Sequence, residues 1–111
     1  DIITFHHYER ASNLDSLIVR LKEYGRPLIC TEYMARGRDS KFQSHLPIFN
    51  KDKTGAINWG FVSGKTQTKF PWGSPVGSPE PKLWHHDVLR IDGTPFDSTE
   101  VQFIKEITSV K

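Results

Sequence analysis

Glu32 ends the run Pro27-Leu-Ile-Cys-Thr-Glu-Tyr33, a carboxylate closing a segment otherwise fit for burial. Two other apolar runs end in chemically useful groups: the first in His6-His7-Tyr8, the third in Asn58-Trp59-Gly60. Side chains alternate along a strand, so His6 and Tyr8 share a face, and Trp59 shares one with Ile57. By the same rule an inward Glu32 takes Cys30 and Leu28 inward with it. If the three ends converge, a carboxylate, an imidazole, a phenol and an indole line one pocket. That is the chemistry of a sugar site: the indole stacks on the apolar face of a pyranose, and the polar groups read its hydroxyls.

Each of these residues also has a plainer reading. A strand-end carboxylate is commonly salt-bridged, packed aromatics commonly have satisfied hydrogen bonds, and an indole in a buried strand is commonly core. Trp72 sits in a Pro/Gly-rich loop, where it either stacks on substrate or pins the loop. Lys65 and Gln67, after the third strand, reach sugar hydroxyls or are simply solvated. Met34 and Arg36 follow Glu32 and are candidates to line the cleft. His85-His86-Asp87 invites a metal reading, but neighbours in an extended segment face opposite ways, so no metal site is expected. Cys30 has no base beside it and reads as a small buried hydrophobe.

The elements that must position these groups alternate. Residues 1–8 read as a strand and 12–25 as a helix, with Leu14, Leu17, Ile18, Leu21 and Tyr24 as one apolar stripe, Ser12 as N-cap and Gly25 as stop signal. Residues 27–33 are the second strand. Residues 40–51 form a second helix with a capping box from Ser40 to Gln43, kinked or broken early by Pro47. Residues 55–62 are the third strand, and 63–82 a loop. Residues 83–97 hold a short extended piece and an Asp92-Gly93 turn. A last helix is capped by Asp97, with Glu100 reaching back. Alternating short, apolar strands and helices predict an α/β fold with parallel pairing.

The 111 residues suit one domain, spanning 1–111. With 36% apolar, 25% charged and 12% aromatic residues the composition is that of a soluble protein. A net charge of +2 without a basic run gives no reason to expect nucleic acid, and no apolar run is long enough for a membrane span. The single cysteine excludes an internal disulfide. The chain opens on Asp1-Ile2-Ile3-Thr4-Phe5, without Met and in the middle of a strand pattern, as a piece of something longer does.

The segments TFHHYE, PLICTEYMARG, GAINWGFVSGKTQT and LWHHDVLRIDGTPFDSTEV together resemble the last three βα units of a TIM-barrel retaining glycoside hydrolase, of the clan that includes family 5 cellulases and xylanases. The resemblance implies three βα units of a (β/α)8 barrel, parallel strands with outer helices. It implies a part in cleaving a β-linked polysaccharide, with Glu32 as nucleophile. It places His6, Tyr8 and Trp59 around the reactive subsite, with Trp72, Lys65 and Gln67 as further substrate contacts from the loop. It calls for no cofactor, and it implies a secreted or periplasmic protein.

Retaining glycosidases need two carboxyl groups about 5–5.5 Å apart. In this clan the acid/base is a Glu that commonly follows Asn, after the fourth strand, and no Asn-Glu pair occurs in the sequence. The chain is therefore expected to hold the nucleophile without its partner and to be inactive alone. A barrel takes eight strands and about 250 residues. Three strands need a complementary N-terminal barrel chain, or self-association, to cover their edges. The alternatives are a carbohydrate-binding or scaffold fragment without catalysis, and a small metal-dependent hydrolase built on the histidines.

Overall fold

The computed structural model of the chain describes residues 1–109. Three parallel strands, β1 (Ile3–His7), β2 (Leu28–Tyr33) and β3 (Gly55–Asn58), form one open sheet in the order β1-β2-β3. Helix α1 (Ala11–Lys22) connects β1 to β2, and α2 (Phe42–Asp52) connects β2 to β3. A single 3-10 turn, Arg36–Arg38, precedes α2, and α3 (Ser98–Thr108) follows the long loop. The α/β class and parallel pairing are as the alternation predicts.

The helices cover one face of the sheet. Leu14 and Ile18 of α1 and Phe42 and Phe49 of α2 pack on Leu28, Cys30 and Tyr33 of β2, with Ile3, Phe5 and Ala56 from the neighbouring strands. Val101, Phe103 and Ile104 of α3 close the far side. Each fully buried Leu or Ile in this layer contributes on the order of 1.5–3 kcal/mol. The other face is bare: Ile57 is 56% and Trp59 46% exposed.

Which residue falls on which face is decided by a register shift. Opposite β1, Phe5 pairs with Cys30 but His6 pairs with Glu32, so Thr31 is an extra residue in the ladder. The bulge breaks the alternation. Leu28, Cys30 and then Tyr33 face the helices, and Glu32, next to Tyr33, is turned to the bare face. The expectation that Glu32 shares its face with Cys30 and Leu28 is therefore corrected.

Several boundaries differ from the sequence reading. Helix α1 starts at Ala11 after an extended Arg10, so Ser12 lies in the first turn and is no cap; Asn13 instead donates to Glu9 Oε2 at 2.5 Å. Ser40 does not cap α2, whose N-cap is Lys41 without a side-chain bond. The Ser40 hydroxyl accepts from the Met34 amide at 3.2 Å and donates to the His7 carbonyl at 3.4 Å, tying β1 to β2. Pro47 neither breaks nor shortens α2, which runs on to Asp52 and ends at Lys53 in the left-handed region. β3 stops at Asn58, whose side chain donates to the Gly60 carbonyl at 2.6 Å; pairing resumes only as a bridge from Val62 to Leu89. Asp97 caps α3 by accepting from the amides of Thr99 and Glu100, as expected, but Glu100 turns inward to Arg36 rather than back to the cap.

Candidate functional site

The ends of β1 and β2 place three of the expected groups together. The Tyr8 hydroxyl donates to Glu32 Oε2 at 2.7 Å, and His6 Nδ1 lies 3.4 Å from the same oxygen. Among the described residues no side chain pairs with Oε1, so one carboxylate oxygen is held and the other is free. The Glu32 side chain retains 28% exposure, open enough to meet a ligand. Burial and the bond to Glu32 raise the Tyr8 pKa well above the ordinary phenol value, so the hydroxyl keeps its proton and remains a donor. Desolvation likewise pushes Cys30 up to about 11, and its thiol is buried against the helices, remote in character from a nucleophile.

Two indoles flank the neighbouring space. The Trp59 amide donates to the Tyr33 carbonyl at 2.9 Å, which seats this half-exposed ring directly past the strand end. Trp72 meets Tyr8 edge-on with centroids 4.9 Å apart. Trp59 and Trp72 border a cavity of about 530 Å³, together with Thr66, Gln67, Thr68 and His86. Lys65 is placed elsewhere, in a separate hollow beside Lys69, Glu80, Trp84 and Arg90, and Gln67 borders both spaces. Trp84 is buried, stacked on Phe96 with centroids 4.8 Å apart.

The run His85-His86-Asp87 is buried throughout. His86 lies beneath Trp72 and beside Tyr8, with ring centroids 5.4 and 5.9 Å away. Its Nδ1 donates to the Met34 carbonyl at 2.7 Å, since a carbonyl only accepts. Met34 itself takes a left-handed conformation, φ 76°, uncommon for a residue with a Cβ. Thr68 donates to Asp87 Oδ1. Gly60, φ 81°, passes so close that a Cβ there would lie 2.6 Å from the His86 Cβ, so only glycine fits.

Arg36 fixes this run from below. Buried itself, it makes a bidentate pair with Glu100, 3.0 Å from Nε and 2.5 Å from Nη2, and donates to the carbonyls of Trp84 and Asp87 at 2.9 and 3.1 Å. Arg36 is a structural clamp, and the expectation that it lines the cleft is corrected. Met34 is fully buried, so its side chain does not line the cleft either.

The sequence reading weighed His86 only as a metal ligand, whereas the structure sets it at the border of the cavity. Its signal was a polar triplet set between Leu83-Trp84 and Val88-Leu89, which, once buried, must find partners. Among the described residues, no group of three His, Cys, Asp or Glu side chains is placed to hold a metal, and no helix is long and apolar enough to cross a membrane. Comparisons with protein-family models, with curated proteins and with solved structures return no match.

Proposed function

We propose that the chain is the Glu32-bearing part of a retaining glycoside hydrolase acting on a β-linked polysaccharide. The observation that carries this reading is the Tyr8–Glu32 hydrogen bond on the bare face of a parallel sheet, beside a cavity walled by two indoles. Glu32 Oε1 attacks the anomeric carbon as the glycosidic C–O bond breaks, the departing oxygen takes a proton from the second carboxyl group, and a glycosyl ester forms while Tyr8 and His6 hold Oε2. Trp59 supplies the apolar platform under the sugar ring.

The sheet supports a (β/α)8 parentage. Sequential strand order with the crossover helices on one face is what a barrel segment has, and one half of a doubly wound sheet has it too; the bare, polar second face is what favours the barrel in this reading. In this reading the bare face is the barrel interior. The outer edges of β1 and β3 pair with strands from a complementary N-terminal barrel segment or from a second copy. That segment brings the second carboxyl group, because the polar contacts of the described residues bring one carboxylate, Glu32, to His6 and Tyr8.

A 2-fluoro-glycosyl fluoride tests the nucleophile. Its leaving group departs without an acid, so trapping does not depend on the second carboxyl. Peptide mapping is expected to place the label on Glu32; a label elsewhere defeats the assignment. The second reading, carbohydrate binding without catalysis, rests on the single carboxylate. It is favoured by oligosaccharide binding with no label at all.

A further inference from the structure

Cations gather in the second hollow, which neither Glu32 nor Tyr8 borders. We infer that this hollow, where Lys65, Lys69 and Arg90 surround Trp84, binds a phosphate group as its dianion by displacing the Glu80 carboxylate.

Three observations carry this. First, the charge in the hollow does not balance. Three cations border a space of about 490 Å³ against one carboxylate, Glu80. The excess of two positive charges equals the formal net charge of the whole chain, +2. Among the described residues neither Lys65 nor Arg90 has an acidic partner. A phosphate monoester carries about −1.5 to −2 charge at pH 7, so one such group completes the balance. A carboxylate or a sulfate ester, with a single charge, does not.

Second, two of the cations are held in place. Trp84 is buried, and Phe96 stacks on one of its faces. Lys69 Nζ lies 5.3 Å and Arg90 Cζ 5.9 Å from the Trp84 ring centroid, so one indole seats both. Arg90 is fixed further by its donation to the Pro95 carbonyl, and the Lys69 side chain is only 20% exposed. Like charges brought to one ring repel each other, and an anion between them removes that cost. Buried Ser63 adds a hydroxyl to the lining.

Third, the hollow already holds an oxyanion, and a replaceable one. Glu80 Oε1 meets Lys69 Nζ at 2.6 Å, its one side-chain hydrogen bond among the described residues. The Glu80 side chain is 58% exposed. An ion pair so open to water contributes little, so a ligand of higher charge displaces it. Glu80 is thus a built-in competitor, which neutralises Lys69 until the phosphate arrives.

The test is titration calorimetry of the full chain at pH about 7.5 and a constant ionic strength of about 0.15 M, where distant charges are screened. The probes are phenyl phosphate, phenyl sulfate and inorganic phosphate. Phenyl phosphate is expected to bind saturably and at least about fivefold more tightly than phenyl sulfate, which has the same shape and one charge fewer. Inorganic phosphate separates the two sources of the group: binding weaker than that of the phenyl ester assigns a monoester, and equal binding assigns the free ion. Lys65→Gln and Arg90→Gln, both at exposed positions, are each expected to weaken phenyl phosphate by about threefold or more. Glu80→Gln is expected to tighten it by about threefold. Asp15→Asn, the same change of charge at an exposed position outside the hollow, is expected to leave it unchanged. Equal binding of the phosphate and sulfate esters, no saturable binding by the wild-type chain, or equal effects of Glu80→Gln and Asp15→Asn each overturns the inference. Labelling of Glu32 is expected to be the same with and without phosphate, so this site stands or falls apart from the catalytic reading.

Discussion

The two faces of the sheet use the same strands to opposite ends. On the covered face, alternate residues of all three strands meet helix side chains in a closed apolar layer. On the bare face the equivalent positions carry His6, Tyr8, Glu32, Ile57 and Trp59, half-exposed and mostly polar or aromatic. The covered face holds the packed apolar layer, and the bare face holds the groups to which we assign the chemistry. The one-residue bulge at Thr31 lets β2 serve both, moving Glu32 off the helix side without disturbing Cys30 or Tyr33.

The sharpest challenge to that division lies beneath both faces. Arg36→Ala strands the buried Glu100 carboxylate, and equilibrium urea unfolding is expected to show a loss of about 3–5 kcal/mol. Glu100→Gln leaves the buried Arg36 guanidinium without its counter-ion and is expected to cost a comparable amount. A small effect from Arg36→Ala would mean that the clamp is open in solution.

Paired truncations compare the faces directly. Leu14→Ala, on the covered side, is expected to cost about 2–5 kcal/mol in the same assay. Ile57→Ala, on the bare side, is expected to cost under about 1 kcal/mol while the sheet stays uncovered. Comparable losses at both positions would show that the bare face is already packed against something.

Acid offers a third comparison. Burial is the main cause that holds His7 and His85 down to about 4. In the unfolded chain such groups titrate near 6.5. Below that pH the unfolded state takes up protons that the folded state refuses. Stability is therefore complete above about 6.5 and declines as pH falls toward about 4. Urea midpoints across this range are expected to drop, and His7→Phe to flatten the slope. A midpoint that rises on acidification would contradict the buried, neutral placement of these rings.

A change in stability as small as that of Ile57→Ala is expected at the candidate site itself. Tyr8→Phe removes one partly exposed hydrogen bond, worth about 0.5–1.5 kcal/mol, yet is expected to slow labelling of Glu32 by about tenfold or more. Equal labelling rates would detach the phenol from the chemistry.

The alternation of strands and helices, the parallel pairing and the shared face of His6 and Tyr8 were legible in the sequence, because they follow from local periodicity and element order. The side on which Glu32 lies was not, since a bulge is a property of the paired strands and leaves no pattern in one of them. Pro47 misled for a related reason: a missing amide donor costs one bond, and Phe42, His45 and Phe49 are buried on the same helix, holding it in one piece. The role of Arg36 was hidden because its partner, Glu100, is 64 residues away.

That separation has a consequence for how the molecule is made. A chain emerging from the ribosome completes β2 and exposes the guanidinium of residue 36 long before its counter-ion has been synthesised. The acid at position 32 is thus in place early, while the histidine wall beside it can be locked only once the last helix docks. Completion of the pocket is thus expected to wait on a helix that does not line it.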